Sequence, residues 1–404
     1  MPRSLWLTPA VAVKALPMLS EQPPWVQLAP FLLHQRARAD SPWAAYLHCL
    51  PEALDSPVFW AVDEPALAEL VGSQLGESAA SYRAYVAGVW DGLAAGVLAA
   101  SPAVFPAATF SPAAFLWAFG TLRARCLPPA DLGSDLALIP GLDLVNHAGS
   151  AGPAWTPANA GGLLGGFGGA PPAASAAAMA LLASRGVAAG EQLYGSYGSR
   201  LDSQLALDYG FVDALSPAPG YLLQLALAEG DRFADDKADV LEVARQAAAP
   251  AFALRPGQPP PPGLTPFLRL LSLGGPDAFL LEPIFRDQAW TLMQDPVSLA
   301  NERAACTAVV QGAGAALAGF SCTAAADEAA LRALASDDAR MRLALRVRLG
   351  EKRGLLAALE AFQAAEAAAP GLEFYQERRL RSLKLMDEGG QSTYDPFNDS
   401  FKSW

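Results

Sequence analysis

The fold of this chain is decided by the stretch Arg185-Gly-Val-Ala-Ala-Gly-Glu-Gln-Leu-Tyr-Gly-Ser-Tyr197 and the segment Leu205-Ala-Leu-Asp-Tyr-Gly-Phe-Val212 that follows it. A third segment, Asp143-Leu-Val-Asn-His147, lies upstream at the end of an apolar run. An Asn-His pair, a lone tyrosine or a Tyr-Gly-Phe segment is weak evidence by itself, because each also has an ordinary structural role. Their order and spacing together are much rarer, so we interpret the three segments as one candidate site.

The composition is that of a globular protein with room for two or three domains. The chain has 404 residues and a mass of 42.1 kDa, with 52% apolar and 17% charged residues. A net charge of −12 argues against a phosphate-backbone ligand, and no apolar run approaches the roughly eighteen residues of a membrane span. The four cysteines and three histidines are scattered, which favours neither a disulfide framework nor a metal site. We therefore expect no nucleic acid, no membrane and no metal as partners.

In the first half of the chain the spacing of apolar residues changes between residues 130 and 136. Residues 1–130 have mainly helical spacing, with a strong helix start where Ser111 precedes Pro112. Residues 136–213 are shorter apolar segments separated by glycine turns, with Ala176–Ala183 and Gln192–Tyr197 predicted as strands flanking a turn. A Gly/Ala/Pro-rich stretch at 161–175 is typical of an expanded surface loop.

From Ser216 onward the spacing is helical again. The longest predicted helix is Asp338–Ala369. Its apolar residues fall on one stripe, which predicts the core of a helical bundle. The stripe consists of Met341, Leu345, Leu349, Leu356 and Leu359.

These features resemble the Rubisco large-subunit N-methyltransferase family, which joins a split SET domain to a helical substrate-binding domain. The likeness covers most of residues 110–385. Besides the three segments above, the stretches that carry it are Phe115–Arg125, Ala234–Val240, Gly263–Leu270, Asp277–Asp287 and Phe374–Leu380. The resemblance implies an α+β fold with small β-sheets and a pseudoknot, followed by an all-α domain. It also implies S-adenosylmethionine as the methyl donor, without a metal.

The resemblance assigns roles to seven residues. Tyr197 matches the catalytic tyrosine, and Asp143 and Tyr209 match positions that line the target-lysine channel. The cofactor-binding positions, matched one by one, are Arg125, Asn146, His147 and Phe211, with Arg125 also at the rim of the lysine channel. A guanidinium suits the cofactor's carboxylate, and an aromatic ring offers it an apolar surface.

Elementary chemistry limits what Tyr197 can do. A lysine with a pKa of about 10.4 is a cation and cannot attack a methyl group, so the channel must favour the neutral amine. A tyrosine with a pKa near about 10 is a poor base at neutral pH. We therefore predict that Tyr197 orients the amine while solvent takes the proton, without a covalent intermediate.

The chain departs from the family pattern in three places. No Gly-x-Gly occurs in the first eighty residues, so we expect the first SET strands to be missing. Pro129 stands where a basic residue is expected, and Trp155 is the aromatic residue nearest to the position of a second channel tyrosine. We predict three parts along the chain. The SET domain covers 1–213 and contains a helical insert at about 15–130. The substrate-binding domain covers 214–385, and a flexible tail covers 386–404.

The function implied by the resemblance is methylation of a lysine in the Rubisco large subunit or another plastid protein such as fructose-bisphosphate aldolase. The expected location is the chloroplast, and the expected state is a monomer. Two alternatives stay open at this point: an inactive SET-like module that binds a partner protein, and a SET enzyme whose acceptor is histidine.

Overall fold

The computed structural model describes residues 3–127, 136–151, 155–158, 178–183, 185–335 and 337–386. The predicted loop at 161–175 and the tail from 387 onward lie outside these residues. The chain divides into two compact units, one formed by Met1–Ala218 with Ala330–Arg348 and the other by Pro219–Ala329 with Leu349–Trp404. Helices dominate and the sheets are small, which confirms the predicted α+β class.

Helices form most of the first unit. They are Pro9–Ala15, Pro24–Arg36, Ala44–Leu47, Pro65–Ala68, Gln74–Leu93 (continued by a π-helical turn at Ala94–Leu98), Pro112–Arg125 and Asp202–Tyr209. The predicted start at Ser111 is confirmed, because its hydroxyl accepts a hydrogen bond from the amide of Ala114 at 3.2 Å. This cap satisfies one of the amides that a helix start leaves without a partner.

The core of the first unit is built on the packing of Pro24–Arg36 against Pro112–Arg125. Trp25 packs on Phe119 with ring centroids 5.3 Å apart. Gly120 is needed on this helix because a Cβ there would lie 2.2 Å from the ring of Phe59. The glycine thus allows a close approach of the loop that carries Phe59.

Two small sheets follow in the first unit. Asn146–His147 pairs in parallel with Tyr194–Gly195, and Trp155–Ala158 pairs antiparallel with Ala178–Leu181. The sequence predicted one strand around Ala178–Leu181 and another around Tyr194–Gly195, flanking a single turn. Instead, each pairs with a different partner upstream. The parallel pair brings the Asn-His segment next to the segment that ends at Tyr197.

The second unit is mainly helical. Its helices are Ala234–Val243, Leu264–Leu271, Arg286–Leu292, Leu299–Ala318 and Tyr375–Ser382, and the helices Ala324–Ala333 and Ala339–Ala368 contain residues of both units. The expectation of an all-α domain is wrong in one detail, since Tyr221–Gln224 pairs antiparallel with Ala251–Leu254. Each strand has only four residues and a helix lies between them in sequence, so neither alternation nor a hairpin turn revealed them.

The apolar stripe predicted on the long helix is correct only in part. Leu345 and Leu349 are buried, whereas Leu356 is 44% exposed. Leu355 is buried in its place, in a cluster with Ala313 and Phe320. The buried face changes along the helix because its two parts pack against different neighbours. Leu343, Ala344 and Val347 belong to a cluster with Trp60 and Leu70, whereas Leu355 packs with Ala313 and Phe320.

Candidate active site

One cavity in the first unit brings the predicted site residues together. It has a volume of about 340 Å³, within the range of about 300–1,000 Å³ that is usual for small-molecule sites. Six of the seven predicted residues line it: Arg125, Asp143, Asn146, Tyr197, Tyr209 and Phe211. The loop that includes Asp55 and Phe59 forms another part of the wall.

Asp143 is held between a phenol and a guanidinium. Its side chain is 1% exposed. Tyr46 donates a hydrogen bond to one carboxylate oxygen, Oδ2, at 2.7 Å, and Arg125 lies 3.4 Å from the same oxygen. Burial raises the pKa of Asp143, while the hydrogen bond from Tyr46 and the charge of Arg125 oppose that rise. The carboxylate is therefore positioned rigidly at the wall of the cavity.

Tyr197 lines the cavity, and the proton of its hydroxyl is already used in a hydrogen bond. The hydroxyl donates to the backbone carbonyl of Val145 at 2.8 Å. Burial, with a smaller contribution from Tyr209, raises the pKa of Tyr197 to about 12. The phenol therefore stays protonated at neutral pH, and its remaining lone pair can accept a hydrogen bond from a ligand.

His147 is the one predicted residue that does not line the cavity. Its Nδ1 accepts a hydrogen bond from the amide of Tyr197 at 3.0 Å, and its ring packs on the Tyr197 ring at 5.0 Å. Because Nδ1 is an acceptor it carries no proton, so the imidazole is neutral, and burial lowers its pKa further. The His147 ring thus supports the backbone of Tyr197.

The Tyr-Gly-Phe segment, residues 209–211, ends a helix at the wall of the cavity. The helix Asp202–Tyr209 ends at Gly210, which has a φ of +77°. A Cβ on Gly210 would lie 2.0 Å from the carbonyl oxygen of Asp55. Both the left-handed conformation and the close backbone approach require glycine here. Tyr209 then packs on Tyr197 with ring centroids 4.5 Å apart.

Sequence reasoning missed three residues that hold this arrangement. Tyr46 was not predicted, because it lies 97 residues from Asp143 and no pattern connects the two. Asp208 lines the cavity and stands inside the quoted motif directly before Tyr209, so its position was a usable signal. Arg200 lies between Tyr197 and Tyr209 in sequence, where nothing but its charge distinguishes it.

Arg200 joins the two tyrosine segments. Its Nε donates to the Tyr197 carbonyl at 3.0 Å, and its Nη1 lies 3.4 Å from the carboxylate of Asp208. Arg123 donates to the other oxygen of that carboxylate at 2.9 Å. The guanidinium of Arg200 can contact Tyr197 and Asp208 at the same time because its N–H donors point in fixed directions.

Replacing Arg200 with lysine keeps the charge but removes this two-point contact. We expect kcat to fall by about 10-fold, since a small displacement of Tyr197 disturbs the geometry of the reacting groups. Affinity for S-adenosylmethionine should stay unchanged, because Arg200 does not line the cavity. Steady-state kinetics and calorimetry measure the two quantities. Arg185→Lys, at an exposed arginine paired with Glu191, is the matched control and should leave both unchanged. Equal losses in both variants would contradict a positioning role.

Three buried polar atoms of residues that line the cavity lack a hydrogen-bond partner among the described residues: Oγ of Ser56, Oδ1 of Asp143 and Nε of Arg125. Buried polar atoms without partners are costly, so such atoms usually meet a ligand or water. Asn146 is exposed at the same cavity, and Phe211 adds an apolar ring. This set offers an acceptor, a cationic donor, an amide and an aromatic surface, which fits a ligand with the mixed chemistry of S-adenosylmethionine.

The described residues contain neither a candidate membrane span nor a candidate metal site. Across them we find no helix that combines the length and apolar character of a membrane-spanning segment. Within the same residues, no three His, Cys, Asp or Glu side chains come together in an arrangement that could hold a metal ion.

The chain is similar to known protein methyltransferases. Residues 228–355 match the family model for Rubisco LSMT substrate-binding. The chloroplastic fructose-bisphosphate aldolase-lysine N-methyltransferase of Arabidopsis thaliana is 36% identical, with 96% of this chain and 79% of the relative covered. The chloroplastic Rubisco large-subunit N-methyltransferase of Pisum sativum is also 36% identical, with 96% and 78% covered. Human actin-histidine N-methyltransferase matches at 26% identity over 89% of this chain and 58% of the relative.

A solved structure shows the same architecture. The SET domain of LSMT bound to lysine and AdoHcy superposes with a TM-score of 0.80 at 34% identity, covering 96% of this chain and 86% of that one. Fold and site thus define a SET-domain protein methyltransferase that uses S-adenosylmethionine. The chain belongs to the family of Rubisco large-subunit and aldolase-lysine N-methyltransferases.

Proposed function

We propose that this chain methylates a lysine of a chloroplast protein, either the Rubisco large subunit or fructose-bisphosphate aldolase, and that it acts in the chloroplast. The observation that carries the proposal is the meeting of Tyr197, Tyr209, Asp143 and Asn146 in one cavity. Relatives that cover nearly the whole chain act on these two proteins, according to their names. The composition and charge of the chain are consistent with a protein substrate.

We assign the cofactor to the side of the cavity formed by Arg125, Asn146 and Phe211. S-adenosylmethionine supplies a methyl group bound to a sulfonium, which activates it for direct attack. The guanidinium of Arg125 suits the cofactor's carboxylate, and the Phe211 ring suits its apolar surface. His147 does not line the cavity, so we assign its ring to the support of Tyr197 and not to a contact with the cofactor.

We assign the lysine amine to the side formed by Tyr197, Tyr209 and Asp143. The Tyr197 oxygen can accept a hydrogen bond from the amine because its own proton is donated to Val145. Removing the ammonium from water favours the neutral amine, and a fall of about three pKa units corresponds to roughly 4 kcal/mol. The two stacked phenol rings supply that apolar surrounding. The amine's proton then leaves to solvent, since the buried phenol is a poor base.

The domain organisation of the proposal follows the sequence interpretation. The SET domain, at 1–213, carries out methyl transfer, and the helical domain, at 214–385, binds the protein substrate. The enzyme acts as a monomer. The family model that matches 228–355 supports this division of labour by its name.

Methyl transfer to the two candidate substrates tests the proposal. The purified chain is incubated with S-adenosylmethionine and with unmethylated Rubisco or aldolase, and the products are analysed by mass spectrometry. We expect mass increases in steps of one methyl group on a lysine of one or both substrates. The same assay separates the alternatives. A methylated histidine would favour the histidine acceptor, and bound cofactor without transfer to either protein would favour an inactive binding module.

A further inference from the structure

A cluster of a thiol, a carboxylate and an amine lies in the second unit, among residues that do not line the cavity. The amine of Lys352 donates to Oδ2 of Asp327 at 2.7 Å, and the two side chains are 2% and 0% exposed. The thiol of Cys322 donates to the other carboxylate oxygen at 3.1 Å. The Lys352 nitrogen lies 3.3 Å from the Cys322 sulfur. A nucleophilic sulfur and a nitrogen are thus in contact, with one carboxylate touching both.

The three residues combine a fixed geometry with access from solvent. Lys352 is on the long helix Ala339–Ala368, and its nitrogen also lies 4.9 Å from the centre of the Phe320 ring. Cys322 is partly exposed, and its neighbours Ser321 and Thr323 are exposed. The amine of Lys352 is thus buried and held by Asp327, next to a partly exposed cysteine.

We propose that Cys322 and Lys352 form a reversible covalent link, a sulfenamide, when the protein meets hydrogen peroxide. In the first step the Cys322 sulfur attacks one peroxide oxygen. An S–O bond forms, the O–O bond breaks, and the other oxygen leaves as water with the thiol proton. The sulfur is oxidised by two electrons and the peroxide is reduced.

In the second step the amine captures the sulfenic acid. The Lys352 ammonium gives one proton to Asp327, and the neutral amine attacks the sulfur. An N–S bond forms, the S–O bond breaks, and the departing hydroxide takes a second amine proton and leaves as water. The product carries a nitrogen–sulfur bond and has two hydrogens fewer than the reduced pair. External thiols restore both side chains by reducing that bond.

The link ties the segment that follows the helix Leu299–Ala318 to the long helix. It therefore braces the second unit only under oxidising conditions. Capture by the amine also protects the sulfur, because sulfenic acid that meets no partner is oxidised further to irreversible products.

Peptide mapping of the whole chain tests the link. The protein is treated with hydrogen peroxide, alkylated, digested with a protease that cleaves at acidic residues, and analysed by mass spectrometry. We expect the Cys322 and Lys352 peptides to be joined, at a mass two hydrogens below their sum, and to separate after dithiothreitol. Unlinked peptides with Cys322 as sulfinic or sulfonic acid would overturn the proposal. A joined pair that keeps an added oxygen would overturn the nitrogen–sulfur bond.

Two variants separate the link from effects on folding. Lys352→Arg keeps a cation beside Asp327 but removes the nucleophilic amine, so the joined peptide should disappear and dithiothreitol should no longer recover the Cys322 thiol. Cys49→Ser removes the more exposed thiol and should leave the link unchanged. Thermal melts before oxidation verify that both variants are folded. A joined peptide of wild-type yield in Lys352→Arg would contradict the proposal.

Discussion

Replacing Tyr197 with phenylalanine is expected to reduce kcat by about 10²- to 10³-fold while cofactor affinity stays within a factor of about two. The substitution removes only the hydroxyl, which donates to the Val145 carbonyl and belongs to a residue that lines the cavity. Without that oxygen the amine loses the group that aligns it with the methyl. The cofactor contacts assigned to Arg125, Asn146 and Phe211 remain. Single-turnover transfer and calorimetric titration measure the two effects separately.

Tyr194→Phe is the matched control for this experiment. Tyr194 lies in the same strand segment, is 45% exposed and does not line the cavity, so its loss should change neither quantity. Burial raises the pKa of Tyr197 to about 12. We therefore also expect that the pH dependence of the wild-type rate shows no ionisation of this phenol between pH 6 and about pH 10. Wild-type turnover by Tyr197→Phe would rule out the assigned role.

Replacing Gly210 with alanine is expected to lower the free energy of unfolding by about 3 kcal/mol. A non-glycine residue at positive φ costs about 1–2 kcal/mol, and forcing an atom into a filled space costs about 1–3 kcal/mol more. The added Cβ would lie 2.0 Å from the carbonyl oxygen of Asp55, which is backbone and cannot rotate away. Relief of this contact must move either the Asp55 loop or the Tyr209–Phe211 segment. Both line the cavity, so kcat/KM should fall as well.

The control for Gly210→Ala is Gly190→Ala. Gly190 has a φ of +85°, and a Cβ there would meet no atom within 4 Å. This variant therefore isolates the cost of the backbone conformation, about 1–2 kcal/mol. Urea unfolding of both variants gives the comparison. If Gly210→Ala lost no more stability than Gly190→Ala, the close approach to Asp55 would have no energetic weight.

The sequence predicted the site better than it predicted how the site is held. Six of the residues matched through the quoted motifs meet in one cavity, since each motif carries its residue on a short, well-marked segment. The parallel pairing of Asn146–His147 with Tyr194–Gly195 was not predicted. Each strand has two residues, too few for any alternation to be read. The roles of His147 and Tyr46 depend on that pairing and on a distant helix, so they became visible only in the folded chain.

The same limit applies to the second unit. Its helical character was predicted because apolar residues recur with helical spacing from Ser216 onward, whereas its two four-residue strands lacked a usable pattern. The long helix illustrates the remaining error. The prediction placed Leu356 in the core, but the helix buries Leu355 instead, because this part of the helix packs against Ala313 and Phe320 and not against the cluster that covers Leu343 and Val347. Patterns fix the type of an element more reliably than the face it buries.

A crystal structure of the chain with S-adenosylhomocysteine and free lysine tests the central claim most directly. The quantity to measure is the distance from the lysine amine to the hydroxyl oxygen of Tyr197. We predict a hydrogen bond, at about 3 Å, with the cofactor product beside Arg125 and Phe211. An amine bound outside this cavity, or farther than about 6 Å from the Tyr197 oxygen with the cofactor in place, would contradict the account.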